Sequence, residues 1–205
     1  MTRKLTGLIV FVLVVVLVFI TGAGDSIARG VTFYACVVKL YTQTPESRIS
    51  MPLAQISRNQ IANTWHAARG ADRLHEGQDI FAPKGTPILS ATRGLVYKIG
   101  ENSLGGQTVS IMGAGGRVYY YAHLDAYAPN LAEGDFVTPK TVLGFVGTTG
   151  NAQGTPPHLH FGIYTSSGPI DPLPLLADRV SVPRQRPVER DSEAGRPPAH
   201  GEGAR

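Results

Sequence analysis

The apolar and polar positions of this chain fall into clearly different regions. Residues 5–24 form an uncharged run, mostly valine, leucine, isoleucine and phenylalanine, which follows Arg3 and Lys4. A helix of about 20 residues, rising about 1.5 Å per residue, spans roughly 30 Å, the thickness of the hydrocarbon core of a bilayer. The pattern therefore predicts one N-terminal transmembrane helix within residues 1–24. The positive flank would lie in the cytoplasm and the rest of the chain outside.

A cleaved signal peptide is the rival interpretation of the same run. The small residues Thr21, Gly22 and Ala23 loosely fit a cleavage site. The apolar run is long for a signal peptide, so we favour an uncleaved anchor. Either interpretation places the remainder of the chain outside the cytoplasm, in the periplasm or cell wall.

A second pattern fills residues 75–172, where short segments rich in β-branched or aromatic residues alternate with glycine-containing turns. No stretch there has a sustained period of 3.6 residues, so the predicted fold class is mostly β, a small antiparallel sheet domain. The predicted strands are 87–91, 94–99, 108–112, 117–122, 141–146 and 158–164. Around the predicted domain (59–175) we expect a linker or N-terminal extension (25–58) and a disordered, Pro/Arg-rich tail (176–205).

Composition narrows the class of partner. Hydrophobic residues make up 42% of the chain and charged residues 17%, which is enough apolar material for a core. The net charge of +4 suits an anionic surface such as a cell wall, but lysines and arginines do not cluster with aromatic residues, so we expect no nucleic-acid binding. Cys36 is the sole cysteine and excludes an intrachain disulfide. No feature of the sequence indicates an oligomeric state.

The run Pro157-His-Leu-His-Phe161 carries the first candidate chemistry. In a strand, residues two apart point to the same face, so His158 and His160 would project together. Leu159 and Phe161 would project from the other face into a core. The sequence thus predicts two imidazoles directed at one point.

A second pair lies upstream at His75 and Asp79. Gly77 and the following Pro83 disfavour a helix, so we expect an extended segment with both side chains on one face. With one further imidazole, from His158 or His160, this pair would make a set of three zinc ligands. Three protein ligands leave a position for water, as in catalytic zinc sites. The helical His-Glu-x-x-His signature does not apply, because position 79 is Asp, and Glu76 is expected to face solvent.

The remaining histidines are ambiguous when taken singly. His123 lies in a predicted strand, where a lone histidine is usually structural. Strand alternation would place Tyr121 on the same face as His123, and it could line a groove. His66 has no partner at a spacing that shares a face, and His200 lies in the tail, so neither is expected to bind metal.

These motifs together resemble the M23 family of zinc metallopeptidases, which includes the lysostaphin and LytM-like endopeptidases. The resemblance covers roughly residues 70–175. It rests on His75-x-x-x-Asp79, Tyr121-Ala-His-Leu124 and His158-Leu-His-Phe161. It extends, in the family's order, to Gly85-Thr-Pro87, Gly94-Leu-Val96, Gly144-Phe-Val-Gly-Thr-Thr-Gly150 and Asp171-Pro172.

The resemblance implies a LytM-like fold with a substrate groove and cleavage of peptide bonds in peptidoglycan. It assigns one zinc ion to His75, Asp79 and His160, and makes His123 and His158 the catalytic pair. One departure is Gly162, which stands where many members carry Glu. Pro139-Lys140 replaces a common glycine turn.

From these observations we expect a zinc metalloendopeptidase, anchored in the cytoplasmic membrane, that acts on cross-links or stem peptides of peptidoglycan. The alternative is a non-catalytic LytM-like module that regulates a separate cell-wall hydrolase. Such a module has no need of zinc ligands, and the presence of the complete set favours the enzyme. A third possibility keeps the zinc but cleaves a protein substrate.

Overall fold

The computed structural model describes residues 23–70 and 72–179. Within those residues, no helix has the length and apolar character needed to cross a membrane. Residues 1–22, which hold almost all of the predicted transmembrane segment, lie outside the described range. The anchor therefore stays a prediction, as does the disorder of the tail from residue 180.

An antiparallel sheet of nine strands forms the body of the domain. Its strands are β2 (Gln78–Phe81), β3 (Pro87–Leu89), β4 (Gly94–Asn102), β5 (Gly106–Gly113), β6 (Val118–Tyr127), β7 (Phe136–Val137), β8 (Val142–Val146), β9 (His158–Thr165) and β10 (Gly168–Ile170). They pair in the order β10-β9-β6-β5-β4-β7. In addition, β2 pairs with β9, and β8 pairs with both β3 and β6.

The six strands predicted from the sequence correspond to β3, β4, β5, β6, β8 and β9. The prediction of a mostly β, antiparallel domain is therefore confirmed. Of the other three strands, β2 includes Asp79, in the segment predicted to be extended, while β7 and β10 have two and three residues. They are too short to show a periodic pattern.

The segment before the sheet is helical. Helix α1 (Ala23–Thr42) occupies much of the stretch for which the sequence predicted a linker or N-terminal extension. The end of this helix packs on the turn Ala114–Gly116. The Tyr41 ring lies so close to Gly116 that a Cβ at position 116 would be only 2.8 Å from the ring. Gly116 has a φ of 67°, so a side chain there would also strain the backbone.

The domain begins earlier than the sequence suggested. Ile49, Met51 and Leu53 fall in the predicted linker, yet they are 2%, 0% and 0% exposed and belong to the core. Strand β1 (Ile49–Ser50) pairs in parallel with β11 (Leu176–Ala177). The boundary at residue 59 was wrong, because these apolar side chains are too few to show a period.

Arg179 ties the C-terminal end of the domain to the same part of the core. Its guanidinium donates to the carbonyls of Met51, Ser90 and Pro139. The first residues assigned to the tail, 176–179, are thus part of the packed domain.

Candidate metal centre

Three side chains that could bind a metal ion converge where β2 pairs with β9. Asp79 Oδ1 lies 3.1 Å from His75 Nε2 and 3.2 Å from His160 Nδ1. His75 Nε2 and His160 Nδ1 are 2.8 Å apart. One ligand atom from each residue lies within 4.8 Å of the other two, so the three could hold a single ion.

Strand register brings these donors together. Asp79 and His160 are directly paired across β2 and β9. His75 reaches the same point from the segment before β2. In that segment, Gly77 lies very close to the His160 ring. A Cβ on Gly77 would lie 2.7 Å from that ring, so only glycine fits there.

The alternation predicted for β9 is confirmed. His158 and His160 project from one face, while Leu159 and Phe161 are fully buried on the other. The apolar residues thereby fix the orientation of the two histidines, since a shift of one residue would exchange the faces.

Backbone carbonyls set the tautomers of three histidines. The Nδ1–H group of His75 donates to Thr64 at 2.8 Å, that of His123 to Thr149 at 2.9 Å, and that of His158 to Pro156 at 2.8 Å. A carbonyl can only accept, so each Nδ1 carries a proton, and Nε2 is the ring nitrogen left for other partners. This arrangement prepares His75 Nε2 as a metal ligand.

The loop that supplies the Thr64 carbonyl is held by a buried amide. Gln78 Oε1 accepts from the backbone N–H and the hydroxyl of Thr64, and Gln78 Nε2 donates to Asn63 and Asp171. Thr64 Oγ1 in turn accepts from the backbone N–H of Asp79 at 2.9 Å. Gln78 is 0% exposed. Sequence reasoning missed it, because its role depends on residues far away in the chain.

Asp79 is held ionised. Burial alone would raise the pKa of its carboxyl group, but hydrogen bonds from His160 and His75 outweigh burial and hold the pKa well below its ordinary value. Arg69 donates to the second carboxylate oxygen, Oδ2. The carboxylate therefore directs Oδ1 at the two histidines while Oδ2 is occupied by the guanidinium.

His123 and His158 form a pair beside this group. Their ring centroids are 5.0 Å apart, and the His123 ring centroid is 5.9 Å from that of His160. Burial lowers the pKa of His123 to about 4, so its imidazole is neutral at pH 7. The structure thus places both members of the predicted catalytic pair next to the candidate ligands.

A β-bulge turns His123 into the site. Between Tyr121 and Leu124, strand β6 has one residue more than the facing part of β5, and His123 has a φ of 66°. A non-glycine residue in this conformation is uncommon and often marks a functional site. Bulges next to active sites redirect side chains in this way.

The same bulge corrects the prediction for Tyr121. Because alternation is interrupted between positions 121 and 123, Tyr121 points into the core, is 0% exposed, and accepts a hydrogen bond from the Ala91 N–H group. Its assignment to the groove was wrong. The neighbouring Tyr120 lines the cavity instead, with its ring centroid 6.1 Å from that of His160.

A cavity opens over the metal-binding group. Glu76, expected to face solvent, is exposed and lines its wall. Gly162 faces the same side: a Cβ there would lie 3.0 Å from the Tyr164 ring, so glycine leaves that ring room to line the cavity. The polar side chains of the wall that the sequence did not single out are Arg69, Arg73, Asn102, Tyr120, Asn151, Thr155 and Tyr164.

The side chain of His66 is not one of the three donors, although its backbone N–H donates to the carbonyl of His75 at 2.9 Å. His66 is exposed and stacks on Trp65, with ring centroids 4.4 Å apart. His200 lies outside the described residues. Two imidazoles and one carboxylate are a donor set that suits zinc, so His75, Asp79 and His160 fit the ion that the sequence led us to expect.

The antiparallel sheet and its histidine-lined cavity define a protein with a candidate metal centre. Residues 73–172 match the model of peptidase family M23. The chain therefore belongs to the M23 family, and the resemblance noted in its motifs is confirmed.

Relatives with established names support this placement. The L-Ala–D-Glu endopeptidase of Bacillus subtilis is 36% identical over 149 residues, which cover 67% of this chain and 46% of that protein. The catalytic domain of lysostaphin from Staphylococcus simulans aligns with a TM-score of 0.50 at 28% identity, covering 57% of this chain and 92% of that one. A zinc-containing peptidase from Vibrio cholerae aligns with a TM-score of 0.51 at 25% identity, covering 65% and 40%. The match to the Bacillus relative spans less than half of that protein's length.

Proposed function

We propose that this chain is a zinc-dependent endopeptidase that hydrolyses cross-links or stem peptides of peptidoglycan. The observation that carries the proposal is the convergence of His75, Asp79 and His160 within 4.8 Å, beside two further histidines whose Nδ1 atoms are bound to backbone carbonyls. Relatives that share its domain carry peptidoglycan-cleaving or zinc-containing peptidase names, which supports both the ion and the substrate class.

In this proposal His75, Asp79 and His160 hold the ion. When bound, zinc supplies Lewis acidity toward a peptide carbonyl and makes a water molecule more acidic. The Arg69 contact to Oδ2 and the Thr64 contact to His75 keep the donor atoms oriented before any ion arrives.

His123 and His158 move the protons. A general base must be unprotonated at the working pH, and burial keeps the pKa of His123 at about 4. Its Nδ1 is committed to Thr149, so Nε2 is the atom that accepts a proton from water. His158, committed to Pro156 in the same way, would donate from a protonated Nε2 to the oxyanion or to the leaving amine.

The alternative function is a non-catalytic module that regulates another hydrolase. Binding alone would need neither the three donors nor the strained backbone that turns His123 toward them. Positive φ at a non-glycine residue costs stability, so this geometry favours an enzyme.

We further propose that residues 1–24 anchor the domain to the cytoplasmic membrane, with the domain outside the cytoplasm. The support is the charge and length of the apolar run. Removal of the run as a signal peptide would give a secreted enzyme instead. Protease protection of the full chain in spheroplasts, together with its mass, would distinguish the two.

The test of function is release of soluble peptides from purified peptidoglycan by the full chain. It would be run with zinc, with a chelator, and with His160→Ala, using His66→Ala as the control because the side chain of His66 is exposed and is not one of the three donors. We expect zinc-dependent release that His160→Ala abolishes and His66→Ala retains. Product masses would identify the bond, and casein would test for a protein substrate. Stoichiometric zinc binding without release from any wall type would contradict the enzyme and favour the regulatory module.

A further inference from the structure

Apart from its histidines, the cavity over the metal-binding group takes its charged side chains from one segment of the chain. The cavity has a volume of about 460 Å³, a size typical of ligand sites. Arg69, Arg73, Glu76 and Asp79 line it, and all four lie within residues 69–79. The lining residues of 102–105 and 151–155 are uncharged. A peptide bound in the cavity would therefore meet charge mainly along the first segment.

Arg73 is the cation of this segment that is open to a ligand. Arg69 already pairs with Asp79, through Oδ2. Arg73 is exposed, and no carboxylate of residues 23–70 or 72–179 forms an ion pair with it. Glu76, three positions further on, lines the same cavity without pairing with Arg73. None of the described residues accepts a hydrogen bond from the guanidinium, so its donors are available to a ligand.

Backbone pairing holds Arg73 close to the candidate ligand His75. The Arg73 carbonyl accepts from the Arg69 N–H group at 2.8 Å, and the His75 N–H group donates to the Ala67 carbonyl at 2.9 Å. Residues two apart in an extended segment are separated by roughly 7 Å, and each residue of an extended peptide spans roughly 3.3 Å. A group held by Arg73 would therefore belong to a residue one or two positions from the peptide bond at the metal centre.

Tyr164 adds a neutral donor beside Arg73. Its ring is half-buried and lines the cavity, and its hydroxyl makes no hydrogen bond with any residue that the structure describes. Burial, Glu76 and Tyr120 raise the pKa of this hydroxyl, and the Arg73 charge acts in the opposite direction. The hydroxyl therefore keeps its proton at neutral pH and can donate it to an acceptor, while Arg73 lies near enough to act on it.

We propose that Arg73, together with the hydroxyl of Tyr164, binds a free carboxylate of the substrate peptide close to the bond that is cut. A guanidinium can form two parallel, charge-assisted hydrogen bonds with a carboxylate. An amide in the same place has no charge and only one acceptor oxygen. The site would therefore prefer peptides whose carboxylates are free over peptides in which they are amidated. This inference rests on the proposed peptidase function, since it names the class of peptide that the enzyme would select.

The metal centre itself is the competing source of a preference for acids. A bound cation would also attract a carboxylate. A carboxylate on the ion would occupy the position that water or a peptide carbonyl needs, so it would inhibit turnover and would not assist it. Such an attraction would not depend on Arg73, and substitution of this residue therefore separates the two sources.

Binding of matched peptides to the full chain in detergent tests the proposal. The probe is L-Ala-γ-D-Glu-L-Lys-D-Ala-D-Ala, labelled on the lysine side chain, with free carboxylates on D-glutamate and at the C-terminus. The comparison peptides carry an amide at one or the other of these positions. Fluorescence anisotropy would be measured in chelator, so that no peptide is cut during the titration.

We expect the acid to bind at least about fivefold more tightly than one of the two amides. Arg73→Gln should reduce this ratio to within about twofold of one, because the charged partner is gone. Arg73→Lys keeps the charge without the paired donors and should retain part of the preference. Tyr164→Phe should weaken it less than Arg73→Gln does. Arg48→Gln is the matched control, because Arg48 is exposed and lies outside the cavity lining, and it should keep the full preference.

Cleavage of the same peptides and of peptidoglycan in the presence of zinc separates this inference from the proposed function. Equal binding of all three peptides would overturn the carboxylate proposal, even where all of them are cut. A preference that Arg73→Gln leaves intact would overturn it in favour of the metal centre, and one that Arg48→Gln reduces equally would overturn it in favour of net charge. An Arg73-dependent preference without cleavage of any peptide or of peptidoglycan would support the proposal and contradict the peptidase function.

Discussion

Asp79 and His160 face each other directly across two antiparallel strands, with Oδ1 3.2 Å from Nδ1. This one register pair fixes two of the three candidate ligands, and His75 completes the set from the adjoining turn. A substitution that disturbs the orientation of these donors should therefore lower metal affinity even where the fold is kept. The first two predictions follow from this relationship.

Arg69 should orient Asp79 for the metal. Its guanidinium contacts Oδ2, so Arg69→Ala leaves the carboxylate free to rotate, and we expect zinc affinity to fall by roughly 10–100-fold. Competition with a chromophoric chelator would measure it. Loss of a positive charge alone would strengthen binding of a cation, so a fall in affinity identifies orientation as the dominant effect.

Arg73→Ala is the matched control for this change. Arg73 lines the same cavity, but it does not contact Asp79 in the structure. Its replacement by alanine removes the same charge as Arg69→Ala. We expect its zinc affinity to stay within about twofold of the unmodified chain. Equal losses in both variants would contradict the orienting role of Arg69.

Gln78 should act on the metal through Thr64. Replacement by leucine keeps the volume but removes the acceptor for the Thr64 N–H and hydroxyl groups. We expect unfolding free energy to fall by roughly 1–3 kcal/mol, because buried polar groups lose their partners. We also expect zinc affinity to fall by roughly 10-fold, because the carbonyl that holds His75 is no longer fixed.

Denaturant titration and zinc competition would measure the two effects of Gln78→Leu separately. Gln153→Leu, at an exposed position, controls for the change of residue type. A stability loss with unchanged zinc affinity would show that Gln78 supports the fold and does not position the ligand.

The hydroxyl groups of Tyr121 and Tyr120 should contribute very differently to the free energy of unfolding. Tyr121→Phe leaves the buried Ala91 N–H without its acceptor, so we expect a loss of roughly 1–3 kcal/mol in unfolding free energy and unchanged peptide release. Tyr120→Phe removes a hydroxyl that accepts from Asn102 at the surface, and should leave stability within about 0.5 kcal/mol. Thermal unfolding beside the peptidoglycan assay would check both. A larger stability loss from Tyr120→Phe would contradict the assignment.

This contrast shows where the sequence was informative. Alternation in β9 predicted the faces of His158 and His160, because Leu159 and Phe161 give a continuous apolar pattern. The same rule failed in β6, because an extra residue at the bulge interrupts the period and no local signal marks it. The roles of Gln78 and Arg179 depend on contacts with distant segments, so no window of sequence could reveal them.

The stability of the metal-free protein should fall in acid because of His123. Burial lowers the folded-state pKa of His123 from 6.5 to about 4. The unfolded chain therefore binds a proton between these values while the folded chain does not. Stability is fully present above pH 6.5 and is lost as pH falls toward 4, by up to about 3 kcal/mol from this residue.

His123→Asn isolates the contribution of this residue, because asparagine tolerates the positive φ of the position. We expect the slope of unfolding free energy between pH 6.5 and 4 to decrease in this variant, measured by denaturant titration in chelator. His66→Asn makes the same substitution at an exposed site with a φ of 58° and should keep the slope. An unchanged slope in His123→Asn would contradict the buried neutral imidazole.

The parallel pairing of β1 with β11 has a mechanical consequence. Ile49 of the first strand pairs with Leu176 of the last, so the first and last strands of the domain lie side by side. Tension between a tethered N-terminus and a restrained C-terminal tail would be borne first by this pair and by the hydrogen bonds of Arg179. The strands that carry the histidines lie outside that path. The candidate ligands would thereby keep their geometry when the ends of the domain are pulled.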